Sequence, residues 1–383
     1  MPAFDIIVVG SGGGLDETNL SGYLLKPGDA EWTDGIIALE AGSGHGALRS
    51  ILKASPGIFG EQPQTDPPGP CMTNPFQIYS LVRCFLITHA HIDHIASLVV
   101  SAGTIGGGSK RIYASPQTLK DLETVFADRV WPNLATWDES NPLFRLVYHS
   151  IHADRKYKVI FPNVSVRNMP VSHGKNESGP YESTAFFIRH EPSEHEFIFF
   201  GDVEPDSVAS KPRNIDIWRA AAPKIPHNLS AIFIECSYPK GRPSDVLYGH
   251  FSPEHLVNEL VALATEVVIA RRTPKGSGRS RPRKKQKNND PVPADELRGV
   301  LDGLRVYIMH CKEHFNTDVP IAHYIRDQVR ELLEPHGLGV ELLSADQGSK
   351  IGKPSSTALP RPSSSAVFPI FPSSSMHSGS FLS

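Results

Sequence analysis

The chain has 383 residues, 39% of them hydrophobic, and a formal net charge of −3. That is enough apolar material for one large core or two average domains, and the slightly acidic balance excludes a protein built to coat nucleic acid. Four cysteines without Cys-x-x-Cys spacing exclude a disulfide framework, and no apolar run reaches the ~18–20 residues of a membrane span.

In chain order, Phe4–Val9 reads as a strand that runs into Gly10-Ser-Gly-Gly-Gly14. A dinucleotide fingerprint needs a helix after its glycines. Here another strand-like stretch follows at Gly22–Leu25, so the glycines read as a tight connection between strands. A third strand, Ile36–Leu39, ends in Glu40-Ala-Gly-Ser-Gly44, and His45 lies in that loop. The apolar run Leu81–Ile87 predicts a buried strand that stops at Thr88. Three histidines and an aspartate then fall within six residues: His89, His91, Asp93 and His94. An extended chain leaving the strand sends His89, His91 and Asp93 to one side. His94 enters from another direction, where an apolar helix begins. Imidazole nitrogens and a carboxylate suit zinc, manganese or iron, and four such ligands exceed what one ion with an open position needs. The spacing favours two neighbouring ions.

Arg111–Ala114 reads as a short strand, and Ser115-Pro116 as the capped start of a helix over 117–130. Alternation of strand and helix indicates an α/β class. Further ligands are expected at strand ends. Ser165–Val171 leads to His173, and Phe197–Phe200 leads through glycine to Asp202. The strand Leu304–Met309 ends in His310, whereas His250, in Tyr-Gly-His-Phe-Ser-Pro, precedes a helix start and lies on a connecting loop. His149, His152, His190, His195 and His255 lack such placement and read as structural or exposed.

Two segments break the pattern. Arg271–Asp290 is a basic insert with no apolar residue to bury, nine of its first seventeen residues being Lys or Arg, and reads as a disordered surface loop. From Lys353 the chain is rich in Ser and Pro and reads as a disordered tail. The expected organisation is one domain over 1–352, interrupted at 271–290, with a tail over 353–383. The cytoplasm is the expected compartment, and the basic run 271–287 opens a nuclear alternative. Nothing in the pattern sets the oligomeric state.

His-x-His-x-Asp-His after an apolar strand resembles the signature of the metallo-β-lactamase fold, an α/β sandwich of four layers, αββα. The longer string from His89 to Ala102 is similar to the signature of class II 3′,5′-cyclic-nucleotide phosphodiesterases, typified by fungal low-affinity enzymes, with Ile92 where leucine is usual. The resemblance continues from about Phe4 to Leu343. It implies hydrolysis of cyclic AMP, or cyclic GMP, to the 5′-monophosphate, which lowers cyclic-nucleotide signalling. It also implies two divalent ions, zinc first and Mn2+, Fe2+ or Mg2+ as alternatives. The ligands implied are His89, His91, Asp93, His94, His173, Asp202 and His310, with Asp202 bridging. By likeness to the tRNA 3′-processing endonucleases, His250 is expected to be catalytic, paired with Glu235 of Ile232-Phe-Ile-Glu-Cys-Ser, and Asp93 to orient the attacking water. A small cyclic nucleotide is the expected partner; the acidic body argues against nucleic acid. Two readings stay open: another hydrolase of the same fold, such as a tRNA-processing nuclease, a glyoxalase II-type thioesterase or a lactamase, and a non-catalytic scaffold.

Overall fold

The computed structural model describes residues 3–60, 72–272, 292–312 and 319–352. Most of the basic insert and all of the Ser/Pro-rich tail lie outside these residues. Within them, two sheets stack face to face. The first sheet contains β1 (Phe4–Gly10), β2 (Gly22–Pro27), β3 (Ile36–Leu39), β4 (Val82–Leu86), β5 (Lys110–Ala114), β6 (Ala135–Thr136) and β7 (Leu146–Ser150). The second contains β8 (Lys158–Phe161), β9 (Val164–Asn176), β10 (Gly179–His190), β11 (Glu196–Phe200), β12 (Leu229–Glu235), β13 (Arg305–Met309) and β14 (Glu341–Ser344). A last strand, β15 (Lys350–Ile351), returns to pair with β1, giving the order β15-β1-β2-β3-β4-β5-β7-β6 beside β14-β13-β12-β11-β10-β9-β8.

Alternation along the strands sorts the core into three slabs. Ile6, Val8, Leu25 and Leu39 of the first sheet meet Val166, Phe186, Phe199 and Tyr307 of the second between the sheets. Ile7, Val9, Leu24 and Ala38 face the other way, onto α1 (His45–Ala54), α2 (Pro75–Ser80), α3 (Ile92–Ser101) and α4 (Pro116–Val125). Phe187, Ile198, Ile232 and Ile308 of the second sheet face α5 (Asn214–Ala221), α6 (Pro253–Arg272) and α7 (Ile321–Leu333). Three slabs separate four layers, so the αββα expectation holds.

Local chemistry explains where the helices begin. Asn74 Oδ1 accepts from the Phe76 amide ahead of α2, and Ser115 Oγ accepts from the Thr118 amide ahead of α4, each with proline at the first helical position. The helix expected over 117–130 stops at Val125. Phe126 caps it, and Asp128 adopts a left-handed conformation (φ 59°) while its amide reaches the Trp131 carbonyl. At its far end α6 extends to Arg272, so the first two residues of the expected basic loop are helical. Among the described residues, no helix is long and apolar enough to cross a membrane.

Phe233 lies at the middle of the inner slab. Its ring stacks on Tyr307 at 4.6 Å and meets Tyr23, Phe197 and Phe199 at 5.6–6.1 Å. Phe233→Ala should therefore lower the unfolding free energy by about 3–5 kcal/mol, read from the denaturant midpoint of the ion-free protein.

Candidate metal centre

Strands β3, β4, β5 and β7 run parallel in one sheet, and β11, β12, β13 and β14 run parallel in the other. Their carboxyl ends gather at one end of the sandwich, where open α/β sheets place their sites. His89 follows β4, Asp202 follows β11, Glu235 ends β12 and His310 follows β13.

Ligand-type atoms there fall into two groups, each lying within 4.8 Å of one another. One comprises His89, His91, His173 and Asp202; the other comprises Asp93, His94, Asp202 and His310. Asp202 belongs to both. Its carboxylate lies 3.6 Å from His89 Nε2 and His173 Nε2, 3.2 Å from His94 Nε2 and 3.3 Å from His310 Nε2. All seven residues named from the sequence meet in one place. His250, Glu235 and His310 form a third close group beside them.

The route differs from the expectation at two points. The extended-chain alternation serves His89 and His91, but α3 begins at Ile92, so Asp93 and His94 sit in a helical first turn and face the second group. β9 does not end at His173. It continues to Asn176, and its pairing with β10 slips between Glu182↔Ser172 and Pro180↔Lys175. His173 and Gly174 thus oppose Tyr181 alone, a bulge that redirects the histidine. Gly174 has the positive φ (69°) this requires.

The donor set fits a cation. His89 Nε2 and His91 Nδ1 face each other at 3.0 Å, His173 Nε2 lies 3.3 Å from the same His91 Nδ1, and His94 Nε2 and His310 Nε2 face at 3.2 Å. A neutral imidazole has one lone pair and one N–H, so nitrogens converging on one point are best satisfied by a shared positive ion. Outer hydrogen bonds leave these atoms free for it. His173 Nδ1–H donates to the Gly249 carbonyl at 2.9 Å. His89 Nδ1 lies 3.0 Å from Thr88 Oγ1, and His310 Nδ1 lies 3.1 Å from Ser237 Oγ. Such partners fix ring orientation and tautomer.

Charge follows burial and neighbours. Burial lowers His89 and His91 and brings His173 down to about 4, keeping these rings in the neutral, ligand form. His94 goes the other way. Burial opposes its charge, but Asp202 and Glu40 on either side raise it well above the usual range. Burial also opposes ionisation of Asp202, yet His310, His94 and His89 hold it well below the ordinary carboxylate range. Beside the ligands, His250 Nδ1 lies 3.0 Å from Glu235 Oε1. Burial lowers His250 to about 4 and raises Glu235 to about 7, the nearby Asp202 adding to the latter.

Several participants escaped the sequence reading. Glu40, at the end of β3, accepts from the Thr88 amide and faces His94 Nδ1 at 3.5 Å. Ser237 donates to Glu235 Oε2 at 2.6 Å while lying beside His310. Tyr181 stacks on His91 at 4.9 Å with 9° between the planes. The early glycines also belong here. The Ser11 carbonyl accepts from the His310 amide at 2.6 Å, and a Cβ on Gly13 would lie 2.8 Å from His310 Nδ1. His45 instead stacks on Tyr79 at 4.4 Å.

A sequence profile described as cAMP phosphodiesterases class-II matches residues 7–348. A 3′,5′-cyclic-nucleotide phosphodiesterase of Schizosaccharomyces pombe is 39% identical over 189 residues, which cover 49% of this chain and 52% of that protein. The unliganded yeast PDE1 crystal structure superposes with a TM-score of 0.75 at 25% identity, covering 92% of this chain and all of that one. The metallo-β-lactamase fold protein YhfI of Bacillus subtilis has a TM-score of 0.51 at 14% identity, with the same coverages.

The contact between Gly13 and His310 is testable. Gly13→Ala should weaken metal binding by roughly 10- to 100-fold, the usual effect of disturbing a ligand's outer support, as read by competition with a chelator. The same Cβ would lie 2.7 Å from the His310 backbone carbonyl, so the ion-free protein should also melt at a lower temperature.

Proposed function

The chain belongs to the class-II cAMP phosphodiesterases, and from that membership we propose that it hydrolyses 3′,5′-cyclic AMP to the 5′-monophosphate, with cyclic GMP as the alternative substrate. The observation that carries this reading is the pair of four-ligand groups sharing Asp202. His89, His91, His173 and Asp202 would hold one divalent ion, and Asp93, His94, Asp202 and His310 the other. The nitrogen-rich set favours zinc over manganese, iron or magnesium. When bound, such ions supply hydroxide at neutral pH and take up charge on the phosphoryl oxygens.

The rest is the work of side chains. Asp93, a quarter exposed where the other carboxylates are sealed, can accept a hydrogen bond from the attacking water and so orient it. The ribose 3′ oxygen is a poor leaving group unless it is protonated. His250 would donate that proton from its other nitrogen, with Nδ1 3.0 Å from Glu235 Oε1. Burial works against a charged His250, and the Asp202 carboxylate at 3.9 Å offsets part of that penalty. An anionic phosphodiester entering the site raises the histidine's proton affinity further. Ser237 steadies the Glu235 carboxylate from the other side.

His250→Ala should keep both ions and lower turnover of cyclic AMP by roughly 10²–10⁴. A phosphodiester with a p-nitrophenol leaving group, which departs without protonation, should be affected far less. His310→Ala should lose metal and both activities together. Metal analysis and turnover measured on one sample decide the matter. Retention of two ions by His310→Ala, with loss of metal in His250→Ala, would exchange the two roles.

A further inference from the structure

A cavity of about 620 Å3 opens beside the first ligand group, with His91 and His173 in its wall. That volume suits a small ligand. Its charges are mixed, Lys175 lining it together with the carboxylates Glu204 and Asp245, which suits a neutral heterocycle better than a second anion. Two tyrosines line it. Tyr181 already spends one face on His91. Tyr248 is different, because the residue is 69% exposed.

The backbone holds Tyr248 in that position against its preference. Its φ is 53°, an outlier for a bulky side chain, and Gly249 follows at φ 83°. The second left-handed residue must be glycine, because a Cβ there would lie 2.8 Å from His173 Nδ1 and 2.9 Å from the Gly174 amide nitrogen. The paired turn sends the Gly249 carbonyl inward to His173 and leaves the tyrosine ring at the cavity. Strain of this kind marks functional positions when the surrounding structure enforces it. An exposed ring adds little to folding, and Arg242, 5.7 Å from its centroid, is the cation beside it.

We infer that Tyr248 is the stacking platform for the purine base of the substrate, a specificity-determining residue outside the catalytic groups. With the phosphate at the ligand groups, the base extends past His91 and His173 into this cavity and lies against the Tyr248 ring. Stacking on an aromatic side chain is tolerant of base identity, so this contact gives affinity for purines and leaves adenine and guanine to be separated by their edges.

The inference rests on the cyclic-nucleotide reading above, and the experiment separates the two. KM, kcat and metal content are measured for the wild type, Tyr248→Ala and Tyr248→Phe. The substrates are cyclic AMP and an abasic ribose 3′,5′-cyclic phosphate. Tyr248→Ala should raise KM for cyclic AMP by roughly 5- to 100-fold with metal content and kcat retained, and leave the abasic substrate essentially unchanged. Tyr248→Phe should restore the wild-type KM. An unchanged KM in Tyr248→Ala overturns the inference, as does an equal loss on both substrates, which would mean that the residue acts through Gly249 and His173. Failure of phenylalanine to rescue would assign the effect to the hydroxyl and overturn stacking. A metal-loaded wild type inactive on both substrates would sink the proposed function itself, and the inference with it.

Discussion

One buried carboxylate organises this end of the molecule. Asp202 is almost fully sealed from solvent, yet it belongs to both ligand-type groups and its neighbours hold it ionised. A buried charge is tolerable only when polar partners and some opposite charge, here the raised His94, surround it. Five histidines lie within 3.9 Å of its oxygens: His89, His94, His173, His250 and His310. Those imidazoles must in turn be fixed from outside, and Thr88, Glu40, the Gly249 carbonyl, Glu235 and Ser237 do so. The sandwich delivers these groups together because its parallel strands end at the same edge.

Much of this was legible in the chain because it is written locally. His89 to His94 are contiguous and follow an apolar strand, so their convergence needs no knowledge of the rest of the fold. Asp202 and His310 could be found because each closes a strand with a strong apolar pattern. The details that were not legible depend on pairing between distant segments. The bulge that aims His173 exists only because β9 and β10 slip register at Tyr181. Ser237 matters because β12 lies beside β13, which brings it to His310 from 73 residues away. Asp93 reads as part of an extended run because a helix starting at Ile92 leaves no outward signal in so short a stretch.

The glycines around the centre share a physical reason that composition alone does not reveal. Added Cβ atoms would lie 1.8 Å from the Asp93 carbonyl at Gly42 and 2.3 Å from Thr88 Oγ1 at Gly201. Similar contacts at Gly13 and Gly249 back His310 and His173. Backbone therefore presses directly on the ligands or on their immediate supports. A glycine-rich start that resembles a nucleotide loop here serves as the seat for a histidine near the other end of the chain.

That seat joins residues far apart in synthesis as well as in sequence. Asp93 and His310 meet at 3.1 Å across a separation of 217 residues, and each ligand group draws on both sheets. The first group is complete in sequence at Asp202, whereas the second waits for His310, so an ion there could be captured only after most of the polypeptide has left the ribosome. Once captured, it ties the two halves of the sandwich and favours the folded population by mass action, in proportion to the logarithm of its free concentration. Because proteases act on the unfolded fraction, scarcity of the ion shortens the protein's lifetime as well as its activity. With ions bound as proposed, the amount of folded protein would follow the supply of the metal.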